Sequence, residues 1–433
     1  MCFCAQIKMV MTSAFAPSEP SLVASAQELP AVDVAIVGAG IVGLSLACAL
    51  RNSGLAIALI EATPYRRENT KGQAYALHQV SRYFFEEIGV WDKLMPHVQP
   101  FEVVQLSDER FPLMVNFSPA DLGTEAIGYV GEHAAIAETL QSVVQSASNV
   151  TFYCPWRVVT NEVQGDRAQL TLISGDPTQP KVAHLAARLV VAAEGGKSPL
   201  RQQMGIEPKG WKYPQSCVVA TLEVAHPQPV IAYERFWPTG PMGVLPLPQN
   251  RYRVVWTLPH PEAEAVAALD DRSFLATLQP YLDPQMAEIT AVSDRFVFPA
   301  QFMQVNSYAA DRFVVIGDAA HRCHPVGGQG LNLGLRDVWN LAQQILATPL
   351  EEIGDRRHLM QFHRQRWWQN VLTLAFTDFL NRLFSNTWWP LVAVRRCGLW
   401  LLRTVSPLKR LVLRFMAGLL LPLPTDCQFP RGR

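Results

Sequence analysis

The residues best suited to chemistry in this sequence are three glycines and one acid near the N-terminus. Gly38, Gly40 and Gly43 have the spacing G-x-G-x-x-G and directly follow the apolar run Val32–Val37. In this context the first glycine allows a tight turn, the second lets the backbone approach a pyrophosphate, and the third allows close helix–strand packing. Glu61, eighteen residues after Gly43, is placed to accept hydrogen bonds from both ribose hydroxyls and disfavours a 2′-phosphate. The pattern predicts bound FAD or NAD; the alternative is a glycine turn without a ligand.

A second glycine-rich segment decides between these two dinucleotides. Gly317-Asp318 ends an apolar run, and a loop containing Gly328 and Gly330 leads into a helix expected to begin near Leu331. Asp318, at the carboxyl end of a parallel strand, is suited to bind a hydroxyl of a ribityl chain. The loop N–H groups can reach the edge of an isoalloxazine ring, and the new helix N-terminus stabilises the negative charge of a reduced flavin. These residues favour FAD.

Apolar runs and helical periodicity predict the elements that position these residues. The strand at Val32–Val37, a helix ending near Leu50 and a strand at Ala56–Ile60 form a β-α-β unit. Further along the chain, the pattern predicts a helix over Glu132–Ala147, a β meander over Val150–Ala193, strands over 211–258, helices over 262–289, a buried strand over Arg312–Ile316, and helices from Arg336 onward.

Composition excludes several classes of protein. The chain has 433 residues, 49% of them hydrophobic, and 37 basic residues balance 37 acidic ones, which argues against a nucleic-acid partner. The eight cysteines are scattered without metal-ligand spacing, so we expect no metal and a reducing, cytoplasmic setting. No uncharged apolar run reaches eighteen residues, so no transmembrane helix is expected.

The motifs taken together resemble one family. They read GAGIVG followed by Glu61, AEGGKSPLR at 193–201, and GDAAHRCHPVGGQGLNLGLRD at 317–337. In this order they resemble the flavin-dependent aromatic hydroxylases of the para-hydroxybenzoate hydroxylase fold. The segments that are similar to the branch acting on polyprenylated phenols, the ubiquinone-biosynthesis hydroxylases, are Glu234-Arg235-Phe236, Gly240-Pro241, Leu245-Pro246, Val255-Trp256 and the His324-Pro325 loop.

The resemblance implies an activity and a fold. NAD(P)H would bind transiently and reduce FAD, and O2 would then add to form a flavin hydroperoxide. The ring of a prenylated phenol or quinone precursor would be hydroxylated. The implied fold is α/β: a Rossmann-like FAD-binding domain with an inserted β-sheet substrate domain and a helical C-terminal segment. The predicted division is a disordered tail at 1–30, an FAD-binding domain at 31–100, 125–208 and 296–365, a substrate domain at 101–124 and 209–295, and the C-terminal segment at 366–425.

The resemblance also assigns further residues to the site. His324 and Pro325 would lie beside the flavin and orient the substrate, although packing of the loop is the competing interpretation of His324. The cofactor set predicted besides the residues already named comprises Gln73, His133, Glu194, Gly195 and Asn332. Gln73 and Glu194 stand where the family has arginine and aspartate, so an ion pair that supports the pyrophosphate is replaced by groups that can only share a hydrogen bond.

The C-terminal segment suggests contact with a membrane. Between Pro390 and Leu420 there are six basic residues and no acid, interleaved with Leu, Val, Trp and Phe. Basic amphipathic helices with tryptophan bind membrane surfaces. We therefore expect peripheral attachment to the cytoplasmic face of a membrane, the alternative being a helical cap on the flavin domain.

Two functions other than hydroxylation stay open for the whole protein. They are an isoprenoid flavoprotein reductase or cyclase on the same fold, and a non-catalytic accessory flavoprotein of a quinone-making complex.

Overall fold

The computed structural model describes residues 26–70, 72–109, 111–175, 181–226, 230–284, 286 and 288–420. Most of the expected tail, residues 1–25, and the last part of the expected C-terminal segment, residues 421–425, lie outside the described residues. Gln27–Glu28, which the sequence placed in the tail, form a short strand that pairs with Ala183 and His184. These two residues therefore belong to the first sheet, and the division of the chain into domains stays a prediction.

Twenty-one strands form three sheets within the described residues. They are β1 (Gln27–Glu28), β2 (Val32–Val37), β3 (Ile57–Ile60), β4 (Ala74–His78), β5 (Val98–Phe101), β6 (Val103–Asp108), β7 (Val115–Phe117), β8 (Gly128–Glu132), β9 (Val150–Tyr153), β10 (Trp156–Gln164), β11 (Arg167–Ser174), β12 (Val182–Ala192), β13 (Pro208–Val224), β14 (Ile231–Trp237), β15 (Gly240–Leu247), β16 (Arg251–Pro259), β17 (Ile289–Val292), β18 (Phe296–Val305), β19 (Ala309–Ala310), β20 (Phe313–Val315) and β21 (His321–Arg322).

Eleven α-helices accompany the strands in the described part of the chain. They are α1 (Ile41–Leu50), α2 (Gln79–Glu87), α3 (Trp91–Leu94), α4 (His133–Gln145), α5 (Pro199–Gln203), α6 (His260–Ala267), α7 (Asp271–Leu278), α8 (Gln329–Ala347), α9 (Arg356–Phe384), α10 (Trp389–Thr404) and α11 (Ser406–Met416). None of the helices within the described ranges combines the length and the apolar character needed to cross a bilayer.

The first sheet holds the glycine turn. Its parallel strands run in the order β20-β12-β2-β3-β9, and β10 and β11 continue from β12 as an antiparallel meander. The strand β2 is almost continuously apolar and buried, as is typical of a strand inside a parallel sheet. The turn after β2 and the turn after β20 open at the same edge, since the carboxyl ends of parallel strands lie together. The two predicted cofactor motifs therefore meet in space.

The second sheet covers this edge. Its strands run in the order β21-β18-β13-β16-β15-β14-β6-β7. The strands β4, β8 and β5 form a small third sheet. The expected substrate domain ends at residue 295, but β18 begins at Phe296 and pairs with β13 over most of its length. The sheet thus continues beyond that boundary, because β18 pairs with β13 before the chain re-enters the first sheet at β19.

The last three helices, α9, α10 and α11, pack against the second sheet. The helix α9 follows α8, and α10 and α11 fold back so that Leu399 and Leu413 pack in one cluster with Phe117 and Phe236 of the second sheet. Arg395 of α10 forms a buried ion pair with Asp108 of β6, with 3.0 Å between Nη2 and Oδ1. This pair fixes α10 against the sheet.

Candidate active site

One cavity of about 880 Å³ joins the parts of the molecule just described. At one end it is lined by the glycine turn and the second motif, represented by Gly40, Gly195 and Asp318. At the other end the lining comes from α9, α10 and α11, and Leu402 and Leu413 are typical of it. A polar, backbone-rich end and an apolar end therefore belong to a single space.

The three glycines of the first turn have different surroundings. Gly38 has a φ of +104°, and a Cβ built on it would lie 2.5 Å from the carbonyl oxygen of Ala193. A Cβ on Gly43 would collide with the carbonyl oxygen of Gly38, whereas one on Gly40 would meet nothing within 4 Å. Gly40 is also the N-cap of α1, without a side-chain cap and without an acid in the first turn. The turn thus leaves unfilled space at the N-terminus of α1, where the helix dipole has its partial positive charge. Such a site suits a pyrophosphate.

Glu61 is held in position by the backbone around it. Its Oε2 accepts a hydrogen bond of 2.8 Å from the N–H of Ala39, and its Oε1 accepts one of 3.0 Å from the N–H of Thr63. Each carboxylate oxygen can accept more than one hydrogen bond. Glu61 can therefore also accept from the two hydroxyls of a ribose beside the glycine turn.

Gly317 and Asp318 lie where the sequence predicts them, at the end of β20. The Asp318 side chain is 53% exposed and lies 3.4 Å from Arg322 Nε. The N–H of Gly317 donates to the buried carboxylate of Asp337, which also pairs with His321 and Arg366. Burial alone would raise the pKa of Asp337, but His321 and Arg366 outweigh it and lower the pKa to about 2. The sequence did not predict this buried ionic cluster, which holds the backbone of the Gly317 turn through the Asp337 carboxylate.

The glycine loop is shaped by its backbone and held by an asparagine. Gly327 and Gly328 have φ values of +67° and +62°, and α8 begins directly after them, two residues before the predicted start at Leu331. Asn332 Nδ2 donates to the carbonyl oxygens of Ala76 and Gly328, both at 2.7 Å. Its Oδ1 accepts from the N–H of His78 and from the Ser81 hydroxyl. The side chain of Asn332 therefore ties the loop to β4 and α2, while Gly328, Gly330 and Leu331 line the cavity.

The comparisons with known proteins agree with this geometry. The family model described as "FAD binding domain" matches residues 31–371. An uncharacterised protein of Synechocystis is 41% identical over 90% of this chain and 93% of its own. The ubiquinone hydroxylase UbiL of Rhodospirillum rubrum is 32% identical over 92% of each chain. The crystal structure of p-nitrophenol 4-monooxygenase PnpA from Pseudomonas putida has a TM-score of 0.78 at 18% identity and covers 92% of this chain and 100% of its own.

The chain belongs to the FAD-binding domain family. It is an FAD-dependent aromatic-ring monooxygenase, as the sequence predicted. FAD is its cofactor, and the open place at Gly40, the fixed Glu61 carboxylate and Asp318 fit the pyrophosphate, the ribose and the ribityl chain of that group. NAD(P)H is the electron donor typical of the family.

Gln73 and Glu194 of the monooxygenase do not bond to each other. Glu194 Oε2 accepts a hydrogen bond of 2.6 Å from the Ser198 hydroxyl, and burial raises the pKa of Glu194. Gln73 Oε1 accepts from the Tyr75 hydroxyl at 3.1 Å, and the same hydroxyl lies 3.2 Å from His133 Nδ1. The hydrogen-bonded pair left open by the sequence is thus replaced by two separate contacts. Gln73 and His133 line the cavity.

Pro325 and His324 of the monooxygenase differ in their surroundings. Pro325 lines the cavity, whereas the His324 ring is fully buried behind the loop, edge-on to Tyr213 with 5.2 Å between centroids. Its Nδ1 accepts from the N–H of Val326, and burial lowers the pKa of His324 to about 3. A neutral, buried ring corresponds to the packing interpretation. Among the described residues, no cluster of three or more His, Cys, Asp or Glu could hold a metal ion.

Several cavity residues were not predicted as site residues. Glu234 was noted only as part of a family segment, yet its side chain lines the cavity. The Tyr75 hydroxyl bridges Gln73 and His133, and the only signal in the sequence was its position two residues after Gln73. The apolar lining from α9 to α11 could not be predicted, because helical periodicity shows that a helix has an apolar face but not what the face encloses.

Proposed function

We propose that this monooxygenase hydroxylates the ring of a prenylated phenol in quinone biosynthesis, with NAD(P)H as the transient electron donor and O2 as the oxidant. The observation that carries the proposal is the single cavity, which begins at the FAD-binding turn and ends among apolar helices. The name of UbiL, a ubiquinone hydroxylase, supports the same class of substrate.

The apolar end of the cavity suits a lipid-like chain. Arg395 is the only charged residue that α9, α10 and α11 contribute to its lining, and its guanidinium is committed to Asp108. The apolar residues from these helices are Phe376, Phe379, Leu380, Leu383, Phe384, Val394, Leu399, Leu401, Leu402, Leu408, Val412, Leu413 and Met416. Burial of a prenyl chain against such a surface contributes about 0.8 kcal/mol per methylene group. The aromatic head would then lie at the polar end, beside the glycine loop.

The residues of the chain bind FAD, orient the substrate and exclude water. FAD supplies the oxygen-activating chemistry when it is bound. Gly40 and the N-terminus of α1 would hold the pyrophosphate, Glu61 the ribose and Asp318 the ribityl chain. The apolar lining excludes water from the reacting ring, which favours hydroxylation over loss of the activated oxygen.

We also propose that the helices around the apolar end contact a membrane. Trp388, Trp389 and Trp400 are 63%, 77% and 52% exposed. Of the six basic residues that suggested this contact, Arg395, Arg396 and Lys409 form ion pairs with Asp108 or Asp121. The exposed basic residues that remain are Arg403, Arg410 and Arg414. A surface of tryptophan and arginine beside the cavity would bring it to a lipid-dissolved substrate.

The test uses the FAD-loaded enzyme, NADH or NADPH, a short-chain 2-prenylphenol and isotopically labelled O2. We expect NAD(P)H oxidation that is stimulated by the phenol, and one labelled oxygen atom in the ring of the product. A product without label and with a reduced or cyclised prenyl chain would favour the reductase or cyclase. Bound FAD without NAD(P)H oxidation with any phenol would favour the accessory flavoprotein.

A further inference from the structure

Glu234 occupies the middle of the sheet surface that faces the cavity. On β14 it pairs with Leu106 of β6 on one side and with Gly243 of β15 on the other, and Gly243 pairs with Val255 of β16. All four residues line the cavity. A Cβ built on Gly243 would lie 3.9 Å from Glu234 Oε2, so the carboxylate lies above a residue that has no side chain. One carboxylate thus projects into the cavity from an otherwise apolar row.

The opposite wall at this point is the glycine loop that binds the flavin. Burial raises the pKa of Glu234 to about 7, and the backbone of Gly327 opposes this rise only in part. No basic side chain in the described part of the chain forms a salt bridge with Glu234. The carboxylate therefore lies between the apolar sheet and the loop, where the ring of a substrate would have to lie.

The titratable groups on the surrounding elements are either paired with an opposite charge or uncharged. Asp108 of β6 pairs with Arg395 of α10, Arg253 of β16 pairs with Glu132, and Asp318 pairs with Arg322. Burial lowers the pKa values of His78 and His324 in the same region, so both rings are neutral near pH 7. Burial raises the pKa of Cys323, a thiol that is uncharged near pH 7 in any case. Burial, rather than a neighbouring charge, therefore controls the ionisation of Glu234.

The reaction needs a proton acceptor at this place. A phenol ring becomes more electron-rich, and attacks an electrophilic oxygen more readily, as its hydroxyl loses a proton. A general base is most effective when its pKa is close to the working pH. We propose that the Glu234 carboxylate is the general base that accepts the phenolic proton while the ring carbon forms its bond to oxygen; this inference rests on the proposed function.

The proton and electron balance is complete without a further reactant. The phenolic O–H bond breaks, an O–H bond forms on Glu234, and the freed electron pair is delocalised into the ring. The oxygen atom comes from O2 activated at the reduced cofactor, which the monooxygenase activity supplies. When aromaticity returns, the ring carbon releases its hydrogen as a proton to solvent, which balances a proton taken up as the second oxygen atom of O2 leaves as water. Glu234 then gives its proton back to the phenolic oxygen.

The test compares the FAD-loaded wild type with Glu234→Gln and with the control Glu223→Gln, which removes an exposed carboxylate from β13 of the same sheet. The probe is 2-geranylphenol. The measurements are hydroxylated product per O2 consumed between about pH 6 and 9, FAD content, and anaerobic reduction of the flavin by NAD(P)H. The anaerobic step reports cofactor binding and reduction without the hydroxylation step.

In the wild type and in Glu223→Gln we expect product per O2 to fall below about pH 7, while flavin reduction stays constant. In Glu234→Gln we expect product formation to fall by about a hundredfold or more, with hydrogen peroxide released instead. The variant should lose the inflection near neutral pH and recover at higher pH, where the phenol ionises by itself. A ring-fluorinated, more acidic 2-geranylphenol should restore part of its rate, which a purely structural role would not explain.

Three results would contradict parts of this account in different ways. If Glu234→Gln has the same product yield and pH profile as the wild type, the role of Glu234 is overturned and the proposed function stays intact. If Glu234→Gln loses its FAD, the pH profile of the wild type alone serves as the test. A wild-type product yield that is constant between about pH 6 and 8 also overturns the role of Glu234. A wild type that hydroxylates no phenol at any pH overturns the proposed function itself.

Discussion

At the scale of single residues, neighbouring glycines have separable roles. Gly43 is needed because a side chain there would collide with the backbone of Gly38, and Gly38 itself needs a positive φ. Gly40 has an ordinary φ of −71° and open space in front of it. The fold therefore requires Gly38 and Gly43, whereas only the ligand requires Gly40.

We predict that Gly40→Leu folds but does not retain FAD. The added side chain would enter the space of the pyrophosphate without meeting protein atoms. Gly43→Ala is the matched comparison, and steric conflict with Gly38 should lower its melting temperature by several degrees, about 2–4 °C for each kcal/mol lost. The measurements are flavin absorbance after gel filtration and the melting temperature of the apoprotein. Full FAD content in Gly40→Leu would refute the placement of the pyrophosphate.

Asp318→Ala should weaken FAD binding without unfolding the protein. A charge-assisted hydrogen bond contributes about 1.5–3 kcal/mol, and half-exposure of Asp318 places the effect at the lower end, roughly a tenfold loss of affinity. Titration of the apoprotein with FAD measures the loss. Wild-type affinity in Asp318→Ala would show that Asp318 does not bind the ribityl chain.

At the scale of elements, the helices after Arg336 show what periodicity can and cannot predict. Their existence follows from the apolar spacing in the sequence, but the pairing of Arg395 and Lys409 with Asp108 and Asp121 joins positions almost three hundred residues apart. Half of the basic residues that suggested a membrane surface therefore stabilise packing inside the molecule. Only those that remain exposed are available to anionic lipid.

We predict that the triple variant Arg403→Gln, Arg410→Gln, Arg414→Gln binds anionic vesicles more weakly than the wild type. Each basic residue near such a surface contributes about 1 kcal/mol, so the loss should be roughly a hundredfold. Binding of the wild type should also weaken with salt. The measurement is co-sedimentation with vesicles, with FAD content as the check on folding.

A charge-matched control tests whether position or net charge matters for the membrane. Replacing Arg66, Arg157 and Arg272 by Gln removes three exposed positive charges elsewhere on the surface. This control should bind like the wild type. Equal binding by both triple variants, or no binding by the wild type, would mean that α10 and α11 are only a helical cap.

At the scale of the whole molecule, the site is built from segments far apart in the chain. The glycine turn, Glu61 and Asp318 were predictable, because a β-α-β unit and a strand end carry local signals in the sequence. The cavity was not, because its walls meet only when the second sheet and the C-terminal helices close over the flavin motifs. Glu234 illustrates the difference: its position in a family segment was visible, but its opposition to Gly327 depends on two sheets meeting.

The central claim is that one cavity holds the aromatic head at FAD and the prenyl chain among the helices. Gly398 tests it, because this residue lines the cavity and a Cβ built on it meets nothing within 4 Å. Gly398→Phe should fill the apolar end with little strain. Its control is Cys397→Phe, which places the same side chain on the exposed face of α10.

The measurement is kcat/KM for a phenol with a long prenyl chain and for the same phenol without the chain. We predict that Gly398→Phe lowers the value for the long-chain phenol by about a hundredfold, the equivalent of three or four methylene groups no longer buried. Its value for the tail-less phenol, and both values for Cys397→Phe, should match the wild type. Unchanged turnover of the long-chain phenol by Gly398→Phe would contradict the account.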